Sequence, residues 1–185
     1  MKGNGRIVCL VGQIASGKTT LAGYLAEHGF ERVVTYTTRP PRPGEENGRD
    51  YHFIAEEEFL EKTDAGFFAE YTDYSANFGH VYYGTSKESL ETPDGVNKVI
   101  VLNPAGVMTL KNAGYDIFVV YLDFGQETLM RRALQRGDHP VEIGRRIAED
   151  THLFWQLETG DYVDLRISNS DLLPKRLGEW IQNVL

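Results

Sequence analysis

The segment Gly12-Gln13-Ile14-Ala15-Ser16-Gly17-Lys18-Thr19 constrains this chain most, because it fits the pattern G-x-x-x-x-G-K-[ST] at every fixed position. It follows a continuous apolar run, Ile7-Val8-Cys9-Leu10-Val11, the pattern of a strand buried on both faces of a parallel sheet. It precedes a stretch from Thr19 to about His28 in which Leu21, Ala22, Leu25 and Ala26 recur at helical spacing, with Gly29 as a C-terminal stop. Strand, glycine-rich turn and helix in that order aim successive backbone N–H groups and a helix N-terminus at one point, which suits phosphate oxygens. The bland alternative is a turn that happens to hold a lysine; at an average glycine usage of roughly 7% it arises in about one such chain in a hundred. The pattern predicts binding of ATP with Mg²⁺. Gly12, Ala15, Ser16, Gly17, Lys18, Thr19 and Thr20 surround the phosphates, Lys18 reaches the β- and γ-phosphates, and Thr19 ligates the ion.

Further apolar runs at Val99-Ile100-Val101-Leu102 and Ile117-Phe118-Val119-Val120-Tyr121-Leu122 are each followed by helical periodicity. A weaker strand, Leu165-Arg166-Ile167, precedes an amphipathic helix through Leu177, Trp180, Ile181 and Val184. This alternation predicts an α/β fold with a mostly parallel, doubly wound sheet. At 185 residues one domain is expected. Its core would span about residues 1–34 and 96–185, with an insertion at about 35–95 where Gly, Pro, Tyr and charged residues crowd together. Only short strand signals, such as Tyr51-His52-Phe53-Ile54, break that insertion, which reads as a region that grips a substrate. A second polar interruption, Arg136 to Gly144, reads as a short mobile lid.

Composition excludes several partners. A net charge of −8 gives no basic field for nucleic acid or an anionic membrane surface, so any anion must be held locally. Cys9 is the single cysteine, which rules out a disulfide framework and a thiolate metal site within one chain. The five histidines lack metal-ligand spacing. The apolar runs are too short for a signal-peptide core or a membrane span. The expected protein is cytoplasmic and acts on small molecules.

The segment from Thr35 to Phe53 concentrates Arg39, Arg42, Arg49, several hydroxyls and Tyr51 in an otherwise acidic protein. Arginines there suit a phosphate dianion, since each guanidinium donates paired hydrogen bonds that lysine cannot match. Composition alone supports a solvated basic turn equally well. The residues Thr37-Thr38-Arg39 through Arg42, Gly44-Glu45, Gly48 and Asp50-Tyr51-x-Phe53, however, strongly resemble the acceptor loop of the guanylate kinase family. The resemblance continues through Phe68-Ala69-Glu70-Tyr71, Tyr82-Tyr83-Gly84-Thr85, the arginines from Arg132 to Arg146, and Asn169, and so covers nearly the whole chain.

The resemblance implies phosphorylation of GMP or dGMP. It implies that Arg39, Arg42, Tyr51 and Tyr83 hold the acceptor phosphate, with Glu45 in the same loop, and that Thr35, Glu70 and Thr85 contact the guanine. A carboxylate at Glu70 accepts from guanine N1–H and the 2-amino group together, whereas adenine has no N1–H to donate. Two departures stand out. Val101 and Asn103 occupy positions where the family usually carries acidic residues, and the stretch from Tyr71 to Val81 is about four residues longer than the family's, with Asp73 the alternative to Glu70 in register. Asn103 offers the base a side-chain oxygen to accept from guanine, or an NH₂ to donate to another base.

Phosphoryl transfer to an anionic phosphate needs cations and positioning rather than a proton-abstracting histidine. Lys18, Arg39, Arg132, Arg136 and Arg146 are the catalytic candidates, the last three by resemblance, with Arg131 and Arg145 facing solvent. The plainer reading of the later arginines is a pair of solvated helix faces with i,i+4 ion pairs. Asn169 lies near the adenine of ATP or caps the last helix. Other readings are a sister kinase for another nucleoside monophosphate or a sugar phosphate, and a non-catalytic binding module.

Overall fold

The computed structural model describes residues 5–76, 79–92, 95–168 and 174–184. In chain order, β1 (Ile7–Gly12), α1 (Lys18–Glu27) and β2 (Glu31–Arg32) lead into β3 (Tyr36–Thr37), β4 (His52–Phe53) and α2 (Glu56–Asp64). Next come β5 (Phe68–Ala76), β6 (Gly79–Ser86), a single 3₁₀ turn at Glu88–Leu90, β7 (Lys98–Val101) and α3 (Pro104–Asn112). The chain finishes with β8 (Ile117–Leu122), α4 (Gln126–Gln135), α5 (Pro140–Thr159), β9 (Leu165–Ile167) and α6 (Pro174–Val184).

Five strands form a parallel sheet in the order β2-β7-β1-β8-β9. β1 is central, with Cys9 opposite Ile100 on one side and Val119 on the other. Its six residues are all buried, which accounts for the unbroken apolar run: both faces meet helices, so no position is left for water. On one face Ile7, Cys9 and Val11 pack with Val107 and Leu110 of α3 and Phe154 and Leu157 of α5. On the other, Val8 and Leu10 pack with Leu21 and Leu25 of α1 and with Leu177 and Ile181 of α6. Each such aliphatic side chain contributes about 1.5–3 kcal/mol when fully buried. The architecture is the α/β, mostly parallel sheet expected from the alternation.

A second sheet, ordered β4-β3-β6-β5, arises from the middle of the chain. β3 pairs parallel with β4 and antiparallel with β6, and β5 and β6 form a long antiparallel hairpin with an irregularity between Phe68 and Glu70. The hairpin is far longer than the short strand signals suggest. Its strands carry polar side chains on both faces, so neither shows the apolar alternation of a half-buried strand. Helix α2 covers its back through Phe59, whose ring stacks on Phe68 at 4.4 Å and on Tyr82 at 5.3 Å.

The polar interruption expected at 136–144 is narrower. His139 caps α5 by accepting from the Val141 N–H, and Pro140 opens the helix, leaving residues 136–139 as the connection from α4. Among the described residues, no helix is long and apolar enough to cross a membrane.

Candidate active site

The glycine-rich turn lies at the carboxyl end of β1, where an open α/β sheet offers its crevice. Gly12 is required by space, because a Cβ there would lie 2.7 Å from the Leu122 carbonyl oxygen and 2.6 Å from Ser16 Oγ. Gly17 is required by backbone geometry: it caps α1 with φ +95°, a conformation L side chains rarely adopt. Ser16 is buried, and its N–H donates to the Gln13 carbonyl at 3.3 Å, closing the turn. Lys18 folds its ammonium back over the turn, donating to the carbonyls of Gly12 at 2.6 Å and Gln13 at 2.8 Å. The cation is thereby held at the mouth of the cradle.

That mouth opens into a cavity of about 360 Å³ lined by Ala15–Leu21, by Leu122 and Phe124 after β8, and by Arg132, Arg136 and Leu177. The structure therefore brings two of the three later candidate arginines to the turn. The Arg132 guanidinium stacks 4.9 Å from the centre of the Phe124 ring, and Arg136 is paired with Asp138. Arg146 lies within α5, but its side chain is outside the described residues, as is Asn169. Thr19 and Thr20 are exposed on the cavity wall. The lining holds the Thr19 hydroxyl and no carboxylate, and no group of three or more His, Cys, Asp or Glu side chains gathers at one point among the described residues. This donor set fits a magnesium ion carried on nucleotide phosphates, which the Thr19 hydroxyl would help to hold.

The second cluster sits on the second sheet and the loop between β3 and β4. The Arg39 guanidinium is gripped bidentately by Glu45, at 2.6 and 2.7 Å, and lies 4.9 Å from the centre of the Tyr51 ring. Burial opposes the charge on Arg39, but the hydrogen bonds to Glu45 prevail and hold its pKa above the ordinary arginine value. The same hydrogen bonds hold the Glu45 carboxyl below its usual range. Glu45 also accepts from the Arg42 N–H at 2.8 Å, while the Arg42 side chain is exposed. Tyr83 packs edge-on to Tyr51 at 6.0 Å, and Tyr74, unmarked by sequence, packs edge-on to Tyr83 at 5.8 Å. Burial raises the pKa of the Tyr51 hydroxyl, keeping it a neutral donor.

On the hairpin, Glu70 is only 5% exposed and accepts a hydrogen bond from the fully buried Thr85 at 2.5 Å. Burial raises its carboxyl to about 7, with the Thr85 hydrogen bond opposing. Thr35 is buried as well, and its carbonyl accepts from the His52 N–H at 2.8 Å. Asp73, the alternative in register, pairs instead with His80 at 2.9 Å on the exposed side of the hairpin.

Asn103 makes two hydrogen bonds within the protein. Its Oδ1 accepts from the Gly106 N–H at 2.8 Å, capping α3, and its Nδ2 donates to Thr72 Oγ1 at 2.9 Å. The sequence did carry a signal for the cap: Asn followed by Pro at the first helical position. Nothing marked Thr72 except its place two residues beyond Glu70.

A parallel sheet with a glycine-rich phosphate cradle, flanking arginines and a second sheet bearing an Arg-Tyr cluster and a buried carboxylate defines a P-loop kinase of the nucleotide type. A sequence model described as guanylate kinase matches residues 4–173. Guanylate kinase of Neisseria gonorrhoeae is 35% identical over 181 residues, covering 91% of this chain and 85% of that protein. Guanylate kinase of Protochlamydia amoebophila is 35% identical over 163 residues, covering 85% of this chain and 79% of that protein. The crystal structure of guanylate kinase from Anaplasma phagocytophilum superposes with a TM-score of 0.73 at 25% identity, covering all of this chain and 86% of that one. The chain belongs to the guanylate kinase family.

Proposed function

We propose that this enzyme transfers the γ-phosphoryl group of ATP to GMP or dGMP. The observation that carries the reading is the pairing of two unlike sites: a phosphate cradle at Lys18 with Arg132 and Arg136 beside it, and on the second sheet a buried carboxylate, Glu70, that accepts a hydrogen bond from Thr85. Guanine is the common purine whose Watson–Crick edge presents two adjacent donors to a carboxylate.

Arg39, Arg42, Tyr51 and Tyr83 hold the acceptor phosphate, and Thr35, Glu70 and Thr85 contact the base. Glu45 serves as the backstop that aims the Arg39 fork. The acceptor phosphate is already an anionic nucleophile, so the chain need not remove a proton. Lys18, Arg39, Arg132, Arg136 and Arg146 lower the barrier by neutralising charge on the moving group and holding the two nucleotides in line. When bound, Mg²⁺ would be held with the help of the Thr19 hydroxyl and would supply further charge neutralisation. Closure of the insertion and of the segment near residues 136–144 brings the two sites together and excludes water. Asn169 contacts the adenine in this reading. The lone free thiol, buried at Cys9, suits a reducing compartment, and the enzyme is taken to be cytoplasmic.

The test is an ADP-release assay with ATP and Mg²⁺ and, separately, GMP, dGMP, AMP, IMP, UMP and CMP. Turnover that favours GMP and dGMP is the expected result. Preference for AMP or a pyrimidine nucleotide, or no turnover with any of them, would overturn the proposal.

A further inference from the structure

Among the described residues the two sheets share no strand pairing, so something other than a β-ladder must set the distance between the proposed base site on one and the phosphate cradle on the other. A short path of contacts joins them. The Leu102 N–H donates at 3.2 Å to the carbonyl of Leu10, two residues before Gly12. The next residue, Asn103, caps α3 through Oδ1 and reaches across to Thr72 through Nδ2. Thr72 lies opposite Tyr83 in the hairpin and two residues from Glu70, hence on the same face of β5. The path thus ends between the residue that faces the base and a tyrosine of the Arg39 cluster.

We infer that Asn103 is a positioning residue, an amide latch that ties β5 to the nucleotide-binding core through Thr72 and does not itself read the base. The inference rests on the proposed kinase reading. Both polar atoms of Asn103 are engaged by the protein, one as acceptor and one as donor, and an amide is the side chain that supplies both at this size. Alanine supplies neither. Aspartate keeps the cap and accepts from the Thr72 hydroxyl, preserving the link with its donor reversed.

The experiment compares the wild-type enzyme with Asn103→Ala, Thr72→Val, the double variant and Asn103→Asp. It reads kcat and KM for GMP, KM for ATP, and the inhibition constant of IMP against GMP, because IMP differs from GMP only in lacking the 2-amino group. Loss of one hydrogen bond by Thr72→Val should raise the GMP KM and the IMP inhibition constant by the same factor, about three- to tenfold, and leave the ATP KM unchanged. Asn103→Ala should do at least as much, the double variant no more than Asn103→Ala, and Asn103→Asp should recover most of the loss. Amide hydrogen exchange along β5 should quicken in Thr72→Val, a readout that needs no turnover.

A loss in Asn103→Ala confined to GMP, with IMP binding unaltered, would make Asn103 a reader of the 2-amino group and overturn the inference. So would wild-type exchange along β5 in Thr72→Val. Failure of the wild-type enzyme to phosphorylate GMP would remove the kinase reading, while the exchange measurement still decides the latch.

Discussion

The Thr85 hydroxyl donates to Glu70 Oε1 at 2.5 Å, and that hydrogen bond partly offsets the burial of a carboxylate that is only 5% exposed. Burial wins, and Glu70 titrates at about 7 in place of 4.5. If Glu70 reads the base as proposed, it must do so in the ionised form, and acceptor use should then be coupled to pH near neutrality.

The first prediction is a kinetic one. Below pH 7 the log of kcat/KM for GMP should fall with a slope approaching one, because a proton must leave Glu70 before it accepts from the base. The acceptor phosphate also titrates near pH 6, so the measurement is the ratio of wild type to Glu70→Gln across pH 5.5–8.5. A ratio that does not vary with pH would assign the whole profile to the substrate.

Glu70 also sets a stability prediction with the opposite preference. A carboxyl whose pKa is raised by folding binds more protons in the folded state than in the unfolded chain, so stability falls as pH rises through the interval from 4.5 to about 7. The raised pKa corresponds to about 3 kcal/mol of destabilisation, fully present above pH 7 and absent below about pH 4.5. Glu70→Gln, which can still accept from Thr85, should therefore be more stable than wild type at pH 8 by about 1–3 kcal/mol, with the gap closing towards pH 5. Urea denaturation at the two pH values measures it. A variant less stable than wild type at pH 8 would show that the ionised carboxylate is compensated in the folded state.

Arg39 gives a third prediction, about geometry rather than charge. Glu45 takes two N–H groups of the guanidinium and the Tyr51 and Phe53 rings lie 4.9 and 5.5 Å from its central carbon, so the fork is oriented before any ligand arrives. Lysine keeps the charge but has neither the bidentate fork nor the planar face. Arg39→Lys should lose nearly as much kcat/KM for GMP as Arg39→Ala, on the order of tenfold or more, with ATP binding intact. A lysine variant close to wild type would reduce the role of Arg39 to a point charge.

The phosphate cradle was legible in the sequence, and the acceptor sheet was not, for a physical reason. β1 is enclosed on both faces, so burial writes an unbroken apolar run, and the glycines after it answer to contacts and a backbone angle that other residues cannot satisfy. Strand β5 carries polar and aromatic residues on its more buried face as well as on its exposed one, so Thr72, Tyr74 and Asp73 give no apolar alternation. The family pattern located Glu70 within it, and only the fold shows the Thr85 bond beneath the carboxylate and the Asn103 bond two residues away.

Gly106 supplies the last prediction, which separates function from stability within one helix turn. It is the third residue of α3, and a Cβ built there would lie 2.8 Å from Glu70 Oε2 and 3.2 Å from the carboxyl carbon. The clash falls on the far end of a side chain, so the fold can accommodate alanine by turning the carboxylate aside, and alanine favours the helix over glycine by roughly 0.5–1 kcal/mol. A carboxylate turned aside no longer faces the base while holding Thr85. Gly106→Ala should therefore melt within a few degrees of wild type yet raise the KM for GMP by about tenfold or more, with the KM for ATP unchanged, since the cradle at Lys18 is untouched. Equal loss for both nucleotides would mean that the substitution moved the sheet, and unchanged GMP kinetics would mean that Glu70 does not need the space Gly106 leaves.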